Sequence, residues 1–325
     1  MNKAIGGYFG LELPDLERAR YQGAMYFQSA RACFYALLQK CKPSKVWLPY
    51  FNCDAFLNVL IASGVECSFY SITEDFLVEE DIQLREGEWL VYVNYFGVCE
   101  AQCDAVIRRF GSGQVLLDHA QAYFCPPKDC LATIYSPRKF FGVPDGGILV
   151  SRLSVDHCSS SGSNSYERTL HLLKRFADTA ESGYSDYQSA ERTLEDFDLS
   201  EMSSLSKKLL SNADADTVIE QRNRNFTALH ERLKSFNKLD FDLSSLRGPL
   251  CYPFLNSAGS TLRKELLSES IYSAVYWAEC QSRCAPTSRE FDLSSLLLPL
   301  PCDQRYGREE MNKIVDVIIR GLKIE

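Results

Sequence analysis

The 325-residue chain predicts an α/β fold, a mostly parallel central sheet flanked by helices with a small C-terminal α+β unit. Two patterns carry this. Between Ser29 and Arg152, short runs rich in β-branched and aromatic residues alternate with segments of helical periodicity. After residue 165 the pattern changes to long helical stretches and a few isolated strand candidates.

Taken in order, "SARACFYALLQK" spaces its apolar residues at helical intervals behind a serine placed to cap it. "KVWLPYF" follows as a short strand, and "CDAFLNVLIASG" as a helix closed by its glycine. "ECSFYSI" and "EWLVYVNYFG" read as strands, and "AQCDAVIRRFGSG" as a helix with a glycine stop. "QVLLDHAQ", "CLATIYS" and "GGILVSR" complete the series with no room for helices between them, which predicts a local change of topology. His157 to Asn164 is serine-rich and patternless, predicting a mobile loop. "YERTLHLLKRFADTAES" and the long "MSSLSKKLLSNADADTVIEQRNRNFTALHERLKSF" read as helices, the second long enough to bridge two domains. "PLCYPFLN", the helix "TLRKELLSES", the strand candidate "YSAVYWA" and a final amphipathic helix make up the remainder. The expected division is a large domain over 1–235 and a small one over 236–325.

A composition of 46% hydrophobic and 24% charged residues suits a globular chain with a core. A formal charge of -8, with no basic stripe, argues against a nucleic-acid surface. "MNKAIGGYFGLELPD" has no apolar leader, and no run approaches the ~18 apolar residues of a membrane span. A cytoplasmic protein with no membrane partner is therefore expected. The thirteen cysteines form no C-x-x-C pair and are read as small buried apolar groups in a reducing compartment. With only four scattered histidines, no metal site is expected.

The candidate chemistry centres on "YSPRKFFGVPDGGILV". Lys139 follows a strand-like run and precedes two aromatics and a Gly-Gly turn, a poor setting for a solvated charge. A lysine withdrawn from water is a nucleophile for carbonyl compounds. The bland alternative is a surface lysine in a connection. Asp118 in "VLLDHAQA" is either a turn residue or a strand-end carboxylate that needs a cationic partner. Alternation puts Asp118 and Ala120 on one face and His119 and Gln121 on the other. Asp118, Asn94 and Ser136 all fall at the carboxyl ends of strands, where sheets of this type bind ligands. Ser29 and Arg31, at a helix start, suit a phosphate, although Ser29 also serves as a plain N-cap. His119 is read as a core histidine in preference to a base. A carboxylate against a pyridinium nitrogen, plus a lysine that forms a Schiff base, is the arrangement that holds pyridoxal 5'-phosphate (PLP).

The ordered pieces "GGYFGLELP", "QSARACFYALL", "VWLPYFNCDAF", "VNYFGV", "LLDHAQAY", "YSPRKFFGVPDGG", "QRNRN" and "LPLPCDQRYG" run along nearly the whole chain. In that order they resemble the DegT/DnrJ/StrS family of sugar aminotransferases, within the fold-type-I PLP transferases. The resemblance implies Lys139 as the Schiff-base lysine, Asp118 as the partner of the ring nitrogen and Ala120 as the small residue under the ring. It implies Gln121 near the phenolic oxygen, provided that the strand ends there, and Asn94 beside the ring. Ser29, Ala30 and Arg31 match the phosphate-binding turn, with Arg31 replacing a small hydroxyl residue, and Ser136 resembles a phosphate-touching serine. Phe51 and Tyr50 are the candidates for the aromatic that stacks on the ring. The Ser136-to-Lys139 spacing is shorter than usual in the family, and "GYSDYQSAE" stands where it often has a Gly-x-Asn-x-Arg loop.

The expected activity is transfer of an amino group from a small-molecule donor such as glutamate to a keto acceptor. By resemblance the acceptor is a keto sugar carried on a nucleotide, for surface polysaccharide or secondary-metabolite assembly. A homodimer with shared sites is expected. Two alternatives stand beside this: lyase or desulfurase chemistry with Cys158 as nucleophile, and a PLP-binding regulatory protein without turnover.

Overall fold

A computed structural model describes residues 5–14, 16, 21, 23–156, 158–161 (backbone only) and 165–323. Nine strands form one sheet: β1 (Met25–Phe27), β2 (Lys45–Pro49), β3 (Glu66–Tyr70), β4 (Glu88–Val93), β5 (Val115–His119), β6 (Ala132–Tyr135), β7 (Gly147–Ser151), β8 (Cys158–Ser161) and β9 (Ser200–Glu201). Their order is β3-β2-β4-β5-β6-β7-β1-β9-β8. β3, β2, β4, β5 and β6 are mutually parallel, while β7 runs antiparallel to both β6 and β1. An antiparallel neighbour needs only a short connection, which is why no helix separates β6 from β7. β5 and β6, although parallel, are also joined without a helix.

Helices α1 (Ala30–Cys41) and α2 (Asp54–Ser63) cover one face of the sheet, where Phe34, Leu37, Phe56 and Leu60 pack on Leu48, Val91, Leu116 and Ile134. Helix α3 (Glu100–Phe110) covers the other, where Val106 and Phe110 join Tyr92, Val115 and Leu117. The alternation of Leu116 and Leu117 between these two clusters is the pleat of β5 read directly from its packing.

Downstream lie α4 (Leu170–Ala177), α5 (Tyr184–Arg192), α6 (Ser204–Ser211) and α7 (Ala215–Leu233). The C-terminal part holds β10 (Tyr252–Leu255), α8 (Gly259–Ser268), α9 (Arg289–Leu296), β11 (Leu297–Leu300) and α10 (Arg308–Leu322), with β10 and β11 an antiparallel pair. Phe226, Leu229 and Leu233 of α7 pack into the cluster of Tyr252, Leu298, Leu262 and Ile318, so α7 reaches the C-terminal unit.

Three expectations are corrected. The long helix is broken into α6 and α7, because the Asp214 side chain accepts from Thr217 N and starts a new helix. "YSAVYWA" is not a strand: Ser270 and Trp277 take positive φ of 58° and 62°, and Tyr276 and Trp277 fold onto Phe96 and Phe51. The serine-rich stretch contains β8, paired with β9, while residues 157 and 162–164 lie outside the described residues. "GYSDYQSAE" contributes to a helix, α5. Strand β1, which the sequence did not signal, sits beside β7. Among the described residues no helix is long and apolar enough to cross a membrane.

Candidate active site

Asp118 is the next-to-last residue of β5, opposite Val93 of β4 and Ile134 of β6. The pleat that sends Leu116 toward α1 and α2 sends Asp118 to the same side. The residue is 7% exposed, and Oδ1 accepts from Ala120 N at 2.8 Å. Burial raises its pKa above the ordinary carboxylate value, while Lys139, foremost, and the Ala120 N–H oppose the rise. Asp118 and Lys139 are thus brought within electrostatic reach.

Lys139 closes a one-turn helix, Pro137–Lys139, that follows β6 directly, and its N–H donates to Ser136 O at 3.3 Å. Ser136 and Lys139 therefore share one turn. The expected desolvated setting is not found in the single chain, where Lys139 is exposed. Its apolar neighbours face the other way. Phe140 is buried against Tyr123 and Phe124, at 5.6 and 5.4 Å between ring centroids, and Val143 is buried too. The aromatics pin the turn, and the lysine points out of it.

Ser29 caps α1, with Oγ accepting from Ala32 N at 3.1 Å. The first amides of a helix have no partner within it, so the turn Ser29-Ala30-Arg31 offers donors to an anion. Arg31 adds a guanidinium, one nitrogen of which donates to Leu194 O at 3.1 Å. Gly147, at the start of β7, is what lets this turn sit so close: a Cβ there would lie 2.1 Å from Ser29 O.

β5 ends at His119, so Ala120 and Gln121 lie in a turn and strict alternation no longer applies to them. Gln121 is buried, its Oε1 accepts from Phe96 N at 2.9 Å, and its Nε2 donor has no acceptor among the described residues. Asn94 is fully buried after β4. Its N–H donates to Asp118 O at 3.0 Å and its Oδ1 accepts from Cys99 N at 3.0 Å, which makes it a brace for the β4–α3 reversal.

Of the two aromatics proposed for stacking, Phe51 has no free ring face and half-buried Tyr50 has one face taken. Phe51 is fully buried, stacked on Tyr95 at 5.7 Å and met by Trp277 at 4.7 Å. Tyr50 stacks on Phe69 at 5.2 Å. In the same loop, Cys53 is within electrostatic reach of Lys139, Asp118 and Arg31. Burial raises its thiol pKa, Lys139 and Arg31 lower it, and Asp118 raises it. The sequence reading missed Cys53; its position directly before α2, at the carboxyl edge of β2, was the available signal.

His119 faces the α3 side, fully buried, with Nε2 3.8 Å from Cys103 Sγ and its ring edge-on to Tyr135. Burial lowers its pKa to about 3, so the ring stays neutral within the core. All twelve cysteines with described side chains are free; the side chain of Cys158 lies outside the described residues.

No protein-family model matches the sequence, and no curated protein matches it. Solved structures do match. The sugar aminotransferase CalS13 from Micromonospora echinospora is 16% identical with a TM-score of 0.62, over 92% of this chain and 87% of that one. A DegT DnrJ EryC1 StrS aminotransferase from Brucella abortus gives 16% and 0.62, over 92% and 85%. Spr1654 from Streptococcus pneumoniae, in its PLP form, gives 14% and 0.66, over 93% and 88%. At these identities the likeness establishes the fold, and the fold-type-I architecture expected from the sequence is the one observed.

Proposed function

We propose that the chain is a PLP-dependent aminotransferase that moves an amino group from an amino acid, glutamate foremost, to a keto group on a nucleotide-linked sugar. The observation that carries this is Asp118, buried at the end of β5 on the side of the sheet where α1 and α2 lie, with Lys139 on the turn after β6 as the cation that most offsets its burial.

The residues present fit PLP. Asp118 is a buried carboxylate with no ion pair among the described residues, and a protonated ring nitrogen is the cation such a group calls for. Gln121 keeps one buried donor without an acceptor among the described residues. Ser29, Ala30 and Arg31 open a helix beside a glycine-permitted close approach, the chemistry of a phosphate site.

When bound, PLP supplies an aldehyde that takes up the amino group and a ring that accepts electrons from the amino acid's α-carbon. Lys139 would provide the amine that anchors it, and as a free amine would carry the proton from the amino acid's α-carbon to the cofactor's aldehyde carbon. Asp118 would hold the proton on the ring nitrogen. Ser29, Ala30 and Arg31 would hold the phosphate, with Ser136 on the same turn as Lys139. Small Ala120 would admit the ring, Gln121 Nε2 would be a donor for the phenolic oxygen, and Asn94 braces the strand end that carries Asp118.

Because Lys139 is exposed on the single chain, exclusion of water requires a cover. A second copy of this chain supplies it in this reading, giving a cytoplasmic homodimer with shared sites.

The test is a visible spectrum of the protein with PLP before and after borohydride, followed by peptide mapping. A band that bleaches and leaves a pyridoxyl group on Lys139 supports the reading; no band, or a label elsewhere, ends it. Glutamate and a panel of keto sugars then identify donor and acceptor.

A further inference from the structure

Arg222 of α7 is one of the largest fully buried side chains in the protein, at 2% exposure. No carboxylate among the described residues pairs with it. Its Nε donates to Gln304 Oε1 at 2.8 Å, and one terminal nitrogen donates to Pro249 O and Leu250 O at 2.8 and 3.3 Å. The nearby Asp303 is already engaged by Arg305, through two bonds of 2.7 and 2.9 Å. Burial accordingly lowers the pKa of Arg222 from its ordinary value. A guanidinium held this way is an expensive core residue, and an apolar side chain of similar size would fill the space at less cost.

What the arrangement achieves lies at its other end. The guanidinium sits 4.7 Å from the centroid of the Phe140 ring, and Gln304 Nε2 donates to Phe140 O at 2.8 Å. Phe140 directly follows Lys139, and its own N–H donates to Pro137 O at 2.9 Å, across the lysine. On the other flank, the Arg138 guanidinium pairs with Glu191 of α5. The residues on both sides of Lys139 are therefore tied down, while Lys139 itself makes no side-chain hydrogen bond or ion pair with a described residue.

We infer that Gln304 and Arg222 are positioning residues for Lys139. Arg222 orients the Gln304 amide through its oxygen, and the amide nitrogen fixes the Phe140 carbonyl. That sets the direction in which the lysine leaves its turn. The inference rests on the role of Lys139 proposed above, and it makes the C-terminal segment before α10 part of the site's support.

Gln304→Glu separates positioning from mere stabilisation. The glutamate keeps an acceptor for Arg222 and adds a charge for it, but has no donor for Phe140 O. The full-length protein with PLP is read in three ways: melting temperature, pH midpoint of the visible band, and rate of borohydride fixation at Lys139. The expected result is a melting temperature at or above that of the wild type. The midpoint should move by roughly half a pH unit or more, and fixation should slow about tenfold. An unchanged midpoint and rate would overturn the inference. If the variant melts lower, amide hydrogen exchange at Phe140 and Phe141 in the same variant carries the reading: faster exchange confined there supports positioning, and exchange raised throughout the fold overturns it. If the wild type takes no label at Lys139, the proposed function falls, and hydrogen exchange decides this point alone. Faster exchange confined to the Phe140 and Phe141 amides supports positioning; wild-type exchange there refutes it.

Discussion

Lys139 is the cation that most offsets the burial of Asp118, yet no ion pair joins them: the lysine is exposed and the carboxylate is 7% exposed. The carboxylate is thus held in a setting that favours its protonated form, with a positive charge near enough to matter and too far to neutralise it.

The pH dependence of stability follows. A carboxyl whose folded pKa lies above its unfolded value stabilises the fold most when protonated, and that contribution is lost as pH rises through the raised value. At neutral pH the ionised Asp118 is therefore a liability. Asp118→Asn should melt higher than the wild type at pH 7, by about 1 kcal/mol, and the gap should narrow in acid. Turnover should meanwhile fall by about 100-fold or more, since the amide cannot hold a charged ring nitrogen. Thermal melts at the two pH values, set beside initial rates, check both halves. A variant less stable at pH 7 would show that Asp118 is well paired as an anion.

His119 gives an opposite slope. Its folded pKa of about 3 lies below the unfolded value, so its neutral form stabilises the fold at neutral pH. That contribution drains away as pH falls from about 6.5 toward 3, with a slope of up to ~1.4 kcal/mol per pH unit. His119→Gln should flatten this limb of the melting curve and leave the pH profile of turnover unchanged. A shifted turnover profile would make the ring part of the chemistry after all.

Most of the sheet was legible, and the two residues proposed for the site stood out, because local pattern and local chemistry agree there. Asp118 stands out as a carboxylate ending an apolar strand, and Lys139 as a lysine between a strand and a glycine turn. What stayed hidden depends on contacts far apart in sequence. β1 has only three residues and is defined by its pairing with β7. Phe51 reads as a ring for stacking until Trp277, over two hundred residues later, covers it. Cys53 carries no motif, and only its place beside Lys139 and Asp118 marks it. The support of Phe140 by Gln304 spans 164 positions.

Ser29 has two roles that substitution can separate. Loss of the cap in Ser29→Ala should cost about 1 kcal/mol and weaken PLP binding. Ser29→Asp restores an N-cap acceptor for Ala32 N and favours the helix dipole. Its carboxylate would nevertheless repel a phosphate at the same turn. Stability should therefore return with aspartate while PLP affinity drops at least about tenfold, read by equilibrium titration of the visible band. Equal affinity in the aspartate variant and the wild type would place the phosphate elsewhere.

Helix α4 turns part of its apolar side outward. Leu170, Leu173 and Phe176, spaced three apart on one face, are exposed, Phe176 to 92%, while Leu172 reaches to 3.5 Å from the Cβ position of Gly142 near the Lys139 turn. Tyr8 and Phe9 are also almost fully exposed. In the dimer proposed above, a second copy of the chain would bury apolar surface of this extent. Phe176→Asp should weaken self-association by at least about tenfold, seen by light scattering across a dilution series. Since the same association is expected to close the site, borohydride fixation at Lys139 should weaken in step with the loss of dimer. A variant that stays dimeric would move the interface off α4, and a wild-type monomer with full turnover would remove the need for a second copy.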